Sequence, residues 1–179
     1  MKIVLLAAMV ALFTAVAKAP AVAADKPDLK VPSGLPKLSV SFVDTDIWNG
    51  KKWPRIQQCA NRGGVSPLKS PALKVTGAPD GTQQLVVFFN NARAMHNHGL
   101  FSYQAKADGG TYTIPAVTSG ATSELPAGVA LFQAGSTWGA AFNAACPTGG
   151  TWKYSITVYA LDAQEQVIAT NEIDIGWAE

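Results

Sequence analysis

The sequence predicts an all-β sandwich of antiparallel or mixed sheets, with little helix. After residue 37 the chain divides into short apolar runs separated by turn residues, and no stretch shows the period of a long helix. Two runs, residues 85–89 and 154–161, carry large side chains on both faces, which is typical of interior strands. These observations predict a single β-sandwich domain over residues 38–179.

The first 24 residues have the pattern of a cleaved secretory signal. Lys2 precedes a stretch, residues 3–17, that is apolar except for Thr14, and small residues before position 24 suit a signal peptidase. The stretch is short for a membrane span, so no span is expected after cleavage, with a retained anchor as the alternative. We expect a secreted or periplasmic protein in which residues 25–37 form an extended leader.

The charge of the mature chain excludes one class of partner. Removing residues 1–24 takes away Lys2 and Lys18 and no acidic residue, so the 14 basic residues fall to 12 and match the 12 acidic ones. A neutral chain has no electrostatic footprint for nucleic acid or an anionic membrane. We therefore expect no nucleic-acid partner.

The chain has two cysteines, Cys59 and Cys146. In an oxidising compartment a disulfide is the default expectation, and two free buried thiols are the alternative. Closing so long a loop stabilises a fold by about 4–5 kcal/mol in the chain-entropy model.

Shorter runs predict the remaining strands. They cover residues 38–43, 71–75, 100–103, 111–115, 129–132 and 173–177. Trp48 and Trp53 flank the turn Asn49-Gly50, which predicts a hairpin. Residues 135–150 form a long stretch rich in small residues and without a strand pattern, which is typical of a binding loop.

The two histidines, His96 and His98, follow the run 85–89 and are predicted in a short polar loop before the next strand. Ligand-binding groups often lie where a buried strand emerges into a loop. Two residues apart, the histidines would share a face of an extended backbone and could bind a metal with a third ligand. The chain has no other histidine and its cysteines are expected to be oxidised, so we predict no metal and no cofactor.

Several short motifs occur in the order in which one protein family has them. They are Gln58-Cys59-Ala60-Asn61, Ser66-Pro67, Ser70-Pro71-Ala72-Leu73, Gly77-Ala78-Pro79-Asp80-Gly81-Thr82 with Leu85-Val86-Val87, Ile114-Pro115-Ala116, Leu125-Pro126-Ala127-Gly128 and Ala145-Cys146-Pro147. Together with Tyr154 to Asp162, these motifs cover roughly residues 55 to 162, and on them the chain resembles the phosphatidylethanolamine-binding protein family. The similarity is greatest to its secreted bacterial, Raf kinase inhibitor-like branch.

The resemblance implies a β-sandwich with a small pocket for an anionic head group, and it implies binding rather than catalysis. His98 matches the pocket histidine of the family, and Tyr154 matches its tyrosine. Three departures fall on functional positions: Asn90-Asn91-Ala92 replaces an acidic Asp-Pro-Asp motif, Trp152 replaces a histidine, and His96 stands where an aromatic residue is usual. The C-terminal helical insertion of the family is also missing after Asp162.

The resemblance and the strand pattern predict one pocket that is more apolar than that of the family. Its expected ligand-binding residues are Asn90, His96, His98, Pro147, Trp152 and Tyr154. We expect a small anionic ligand or a phospholipid head group, bound weakly and more strongly at acidic pH if His98 contributes. The pKa of His98 is expected near its reference value of about 6.5 unless burial moves it. A protein partner stays open.

We predict no enzymatic activity. The chain has no Gly-x-Ser-x-Gly elbow, and the loss of the paired aspartates removes the best general acid and base. The alternative function is a carbohydrate-binding or protein-interaction sandwich that uses surface tryptophans. Trp138 and Trp152, near the histidines, could stack on sugar rings, although tryptophans more often anchor a core.

Overall fold

A computed structural model describes residues 27–91, 96–104, 107–132, 139–148 and 150–179. The predicted signal segment 1–24, Ala92 and Trp138 lie outside these residues. The described chain forms eight strands: β1 (Ser39–Phe42), β2 (Leu73–Thr76), β3 (Gln84–Asn91), β4 (His96–Tyr103), β5 (Thr111–Ile114), β6 (Val129–Leu131), β7 (Trp152–Leu161) and β8 (Val167–Ala178). Two single 3₁₀ turns, Arg55–Gln57 and Ala60–Arg62, lie between β1 and β2.

Across the described ranges, the helical structure amounts to these two turns. Neither of them is long or apolar enough to cross a bilayer. The prediction of an all-β protein with little helix is confirmed.

The strands form two antiparallel sheets. One has the order β1-β2-β5, and the other has the order β6-β4-β3-β7-β8. Both runs predicted as interior strands lie inside the larger sheet, because β3 is paired with β4 and β7, and β7 is paired with β3 and β8.

The main core lies between the two sheets. Leu73, Val75 and Ile114 of the smaller sheet pack in one cluster with inward residues of the larger sheet, such as Val87 and Phe89. All five side chains are at most 1% exposed. Burial of this kind supplies most of the driving force for folding.

A second apolar cluster lies on the outer face of the five-stranded sheet, where Val86 and Phe88 of β3 project. Leu29 and Leu35 pack against it. Residues 27–37, which we call the N-terminal strap, therefore cover this face. The strap is tied to β8, because the N–H of Thr170 donates a hydrogen bond to the carbonyl of Pro36 at 3.1 Å.

The predicted hairpin between Trp48 and Trp53 is wrong. The side-chain Oδ1 of Asn49 accepts hydrogen bonds from the N–H groups of Lys51 and Lys52, at 2.9 and 3.3 Å. Such a side-chain acceptor gives the backbone an alternative to a strand ladder. Both tryptophans are instead buried in the main core.

The strap should contribute to stability through its two leucines. Replacing Leu29 and Leu35 together by serine should lower the free energy of unfolding by about 1–3 kcal/mol, because both side chains are half-buried against the second cluster. Urea unfolding measures the change. The matched control is Val31→Ser, since Val31 lies on the same segment but is 45% exposed. An equal effect of the control would show that the strap does not pack as described.

Candidate functional site

One end of the five-stranded sheet contains a cavity of about 300 Å³. The last residue of β3 and the first residues of β4 and β7 form one side, because antiparallel neighbours bring these strand ends together. Residues 139–148, which we call the closing segment, form the other side. The lining residues are Asn91, His96, His98, Ala144, Cys146, Pro147, Thr148, Trp152 and Tyr154.

A β-bulge at the start of β4 points His98 into the cavity. Phe89 pairs with Gly99 and Asn90 pairs with Asn97, so His98 is an extra residue with no opposite partner in β3. In a regular ladder His98 would be opposite Asn90 and would share its outward face. The bulge turns the side chain to the inner face, and such bulges often re-aim side chains beside functional sites.

Gly99 allows the closing segment to pack against the bulge. A Cβ atom on Gly99 would lie 2.4 Å from the carbonyl oxygen of Ala141 and 2.7 Å from Cα of Phe142. Only a residue without a side chain permits this approach. The N–H of Asn143 can therefore donate a 2.6 Å hydrogen bond to the carbonyl of His98.

The ring of His98 is held in a neutral, oriented state. Its Nδ1 lies 3.4 Å from the carbonyl oxygen of Asn143, which can only accept, so Nδ1 carries the proton. Burial lowers the pKa of His98 from 6.5 to about 4, assisted by the charge of His96 and opposed by the hydrogen bond to Asn143. Burial therefore moves the pKa of His98 away from its reference value of 6.5, which is the exception that the sequence-based expectation allowed for.

Tyr154 forms the floor of the site and stays protonated. Burial raises its pKa to about 12, against a hydrogen bond from Asn91 that favours the ionised form. Its ring makes edge contacts with His98, at a centroid distance of 5.0 Å, and with Trp53, at 4.9 Å. Because Trp53 is 1% exposed, these contacts join the site directly to the main core.

The predicted disulfide is present between Cys59 and Cys146. It links the second 3₁₀ turn to the closing segment, and the N–H of Cys59 donates a 2.9 Å hydrogen bond to the carbonyl of Ala145. Cys146 lines the cavity and Cys59 does not. The bridge is therefore part of the wall of the site.

The structure brings five of the six predicted site residues around the cavity: His96, His98, Pro147, Trp152 and Tyr154. Asn90 does not line it. Successive residues of a strand point to opposite faces, and Asn91 follows the inward residue Phe89 by two positions. Asn91 therefore replaces Asn90 in the candidate site, and the ligand-binding role of these residues stays a prediction.

Four lining residues were missing from the prediction: Asn91, Ala144, Cys146 and Thr148. The alternation from Phe89 could have identified Asn91. The other three belong to the closing segment, which has no periodic pattern, so the sequence shows no orientation for them.

The described tryptophans do not form a shared platform for sugar rings. Trp48 and Trp53 are 4% and 1% exposed and belong to the main core. Trp152 lines the cavity, while Trp177 is 47% exposed. Trp177 pairs with Lys153, the neighbour of Trp152, so the two indoles project from opposite faces of the sheet.

The site has little formal charge. The nine lining residues found in the described chain include no Lys, Arg, Asp or Glu. Within the described ranges, no three His, Cys, Asp or Glu side chains gather closely enough to bind a metal ion. The groups that could contact a ligand are hydrogen-bonding side chains and aromatic rings.

No protein-family model and no curated protein matches this chain in sequence. Two solved structures are similar in fold. Escherichia coli YbcL, described as a new member of the mammalian PEBP family, has a TM-score of 0.58 and 19% identity, covering 80% of this chain and 98% of its own. CT736 of Chlamydia trachomatis, described as a phosphatidylethanolamine-binding protein homologue, has a TM-score of 0.50 and 17% identity, covering 80% and 97%.

At these identities the similarity shows the fold alone. The fold is that of phosphatidylethanolamine-binding proteins, as the sequence motifs indicated.

The buried His98 should make the protein less stable in acid. Unfolded histidine binds a proton near pH 6.5 and folded His98 only near pH 4, so its contribution is complete above pH 6.5 and is lost as the pH falls towards 4. The full loss is about 3 kcal/mol. Urea unfolding between pH 7.5 and 4.5 should show a smaller decrease for His98→Gln than for the native chain.

The control for this prediction is His96→Gln, which removes an exposed imidazole and leaves His98 buried. It should keep most of the native decrease, because burial is the largest cause of the lowered pKa of His98 and the charge of His96 is a smaller one. If His98→Gln loses as much stability as the native protein, then His98 is not held neutral by burial.

Substitution of Gly99 should open the site. Gly99→Ala places a methyl group against the Ala141 carbonyl, and we expect about 3 kcal/mol of destabilisation. The control is Gly110→Ala, which also has a positive φ but open space around the new Cβ, and it should cost about 1 kcal/mol. Thermal unfolding compares the two variants, and equal costs would contradict the close packing at Gly99.

Proposed function

We propose that this protein is a secreted, non-catalytic binding protein whose cavity takes the anionic head of a small ligand. The observation that carries the proposal is one cavity of about 300 Å³, at a strand end of a phosphatidylethanolamine-binding-protein-like fold, lined by neutral hydrogen-bonding groups. The disulfide supports secretion, because such bridges persist in oxidising compartments.

The size of the cavity favours a head group over a whole lipid. Pockets for small molecules measure roughly 300–1,000 Å³, so this one is at the lower limit. Its rim is open, since His96, Cys146 and Thr148 are exposed. A longer ligand could therefore place its head inside and its remainder in solvent.

The state of His98 determines how an anion would bind. With Nδ1 protonated, the second ring nitrogen is an acceptor in the neutral ring and opposes an anion. A bound anion stabilises the imidazolium and raises the pKa of His98 from about 4. By linkage, anion affinity rises as the pH falls.

The same residues argue against catalysis. The lining, as far as the chain is described, offers no carboxylate, and Tyr154 is held protonated by a pKa of about 12. Of the two histidines in the lining, the buried His98 is a weak proton acceptor at neutral pH because its pKa is lowered.

Calorimetry with sulfate tests the proposal, since sulfate keeps its charge between pH 4.5 and 7.5. We expect binding several-fold tighter at pH 4.5, up to about tenfold for each unit by which the anion raises the pKa of His98. His98→Gln should remove this pH dependence. Phosphoethanolamine at pH 7.5 then compares a phospho head group with the inorganic anion.

The control is Lys74→Gln, which removes an exposed cation on the smaller sheet, far from the cavity. It should leave sulfate binding unchanged. Absence of sulfate binding at both pH values, or the same pH dependence in His98→Gln, would reject the proposal. Binding of soluble oligosaccharides in place of anions would favour the carbohydrate alternative.

A further inference from the structure

The disulfide presents its two sulfur atoms to different surroundings. Cys146 is exposed and belongs to the lining of the cavity, whereas Cys59 is half-buried and outside it. A ligand inside the cavity would therefore meet Cys146 before Cys59.

Thiol–disulfide exchange makes this asymmetry chemically relevant. A thiolate attacks one sulfur of a disulfide and expels the other, so the attacked sulfur keeps the new group. Which sulfur is attacked depends on access. Attack from the cavity selects Cys146 and expels Cys59.

We propose that the cavity is a capture site for small thiols. The thiolate of a low-molecular-weight thiol forms a new S–S bond with Sγ of Cys146 and breaks the bond between Cys146 and Cys59. Cys59 leaves as a thiolate and takes up the proton that the incoming thiol lost. The exchange needs no separate oxidant, and it shares only the cavity with the function proposed above.

Asn61 is placed to receive the sulfur that is released. Its Oδ1 lies 2.7 Å from Sγ of Cys59 and 3.4 Å from Sγ of Cys146. A disulfide sulfur has no proton to donate, so this contact becomes a hydrogen bond only when Cys59 is a thiol. Cys59, once released as a thiol, thus gains a hydrogen-bond partner in Asn61. Cys146 needs none, because it stays in a disulfide.

Capture would also loosen the rim of the cavity. Residues 141–145 are tied down by backbone hydrogen bonds of Ala141, Phe142, Asn143 and Ala145, and by the bond from the N–H of Ala144 to Oγ of Ser119. In the described chain, residues 146–148 make no such backbone bond, and the bridge is their covalent tie to the 3₁₀ turn. Breaking it frees the rim and leaves the anchored part in place.

Peptide mapping by mass spectrometry tests the capture. The oxidised protein is mixed with cysteamine at pH 8, and free thiols are blocked with N-ethylmaleimide within seconds. We expect cysteamine on Cys146 and maleimide on Cys59, with at least about a tenfold preference over the reverse pattern. In about 8 M urea, which unfolds the protein and so removes the cavity, the two cysteines should be labelled about equally.

Two further readings separate entry through the cavity from simple exposure of Cys146. A thiol fixed on the surface of a folded carrier protein cannot be inserted into a cavity of 300 Å³, so its preference for Cys146 should disappear. In the cysteamine adduct, hydrogen exchange at the amides of Ala141, Asn143 and Ala144 should stay slow, because their hydrogen bonds do not involve the bridge.

A preference for Cys59, equal labelling of the native protein, or an undiminished preference with the carrier-bound thiol would overturn the proposal. The labelling and exchange measurements use no anion, so their failure would not affect the result of sulfate calorimetry. Conversely, selective capture without sulfate binding would retain the thiol site and reject the anion function.

Discussion

One extra residue in β4 turns the start of that strand into a site. The bulge moves His98 from the outer face of the sheet to the inner face. The following Gly99 has no side chain, so the backbone of Ala141 and Phe142 occupies the space that a Cβ atom would fill. The hydrogen bond between Asn143 and His98 then fixes the distance between sheet and closing segment. Without the bulge, His98 would be opposite Asn90, would project from the outer face of the sheet and would not line the cavity.

The same contacts stabilise the fold and shape the site. His98 packs on Tyr154, Tyr154 packs on Trp53, and Trp53 is stacked at 6.1 Å on Phe142 of the closing segment. An unpaired charge in such surroundings is costly, which explains why His98 and Tyr154 are held neutral. In the proposed function, the site would select ligands through hydrogen bonds and ring contacts, and His98 would gain a charge at neutral pH when an anion compensates for it.

Much of the fold could be predicted from side-chain alternation. The apolar residues of β7 repeat with the period of a strand, at Tyr154, Ile156 and Val158. The position of β7 and its inward face could therefore be predicted from the sequence. The bulge in β4 breaks that period without a signal of its own, so the histidines were expected in a loop. Asn90 was expected in the pocket because the alternation of β3 was not followed from Phe89 to Asn91. The closing segment is positioned by a bridge and by backbone bonds, neither of which leaves a periodic trace in the sequence.

The strap has a consequence for recognition at the outer face of the sheet. Leu29 and Leu35 already occupy the apolar surface formed by Val86 and Phe88. A partner that approached this face would compete with a segment of the same chain, whose effective concentration for a short tether is on the order of millimolar. Such a partner gains access only by displacing the strap, so affinity there is limited by an internal competitor.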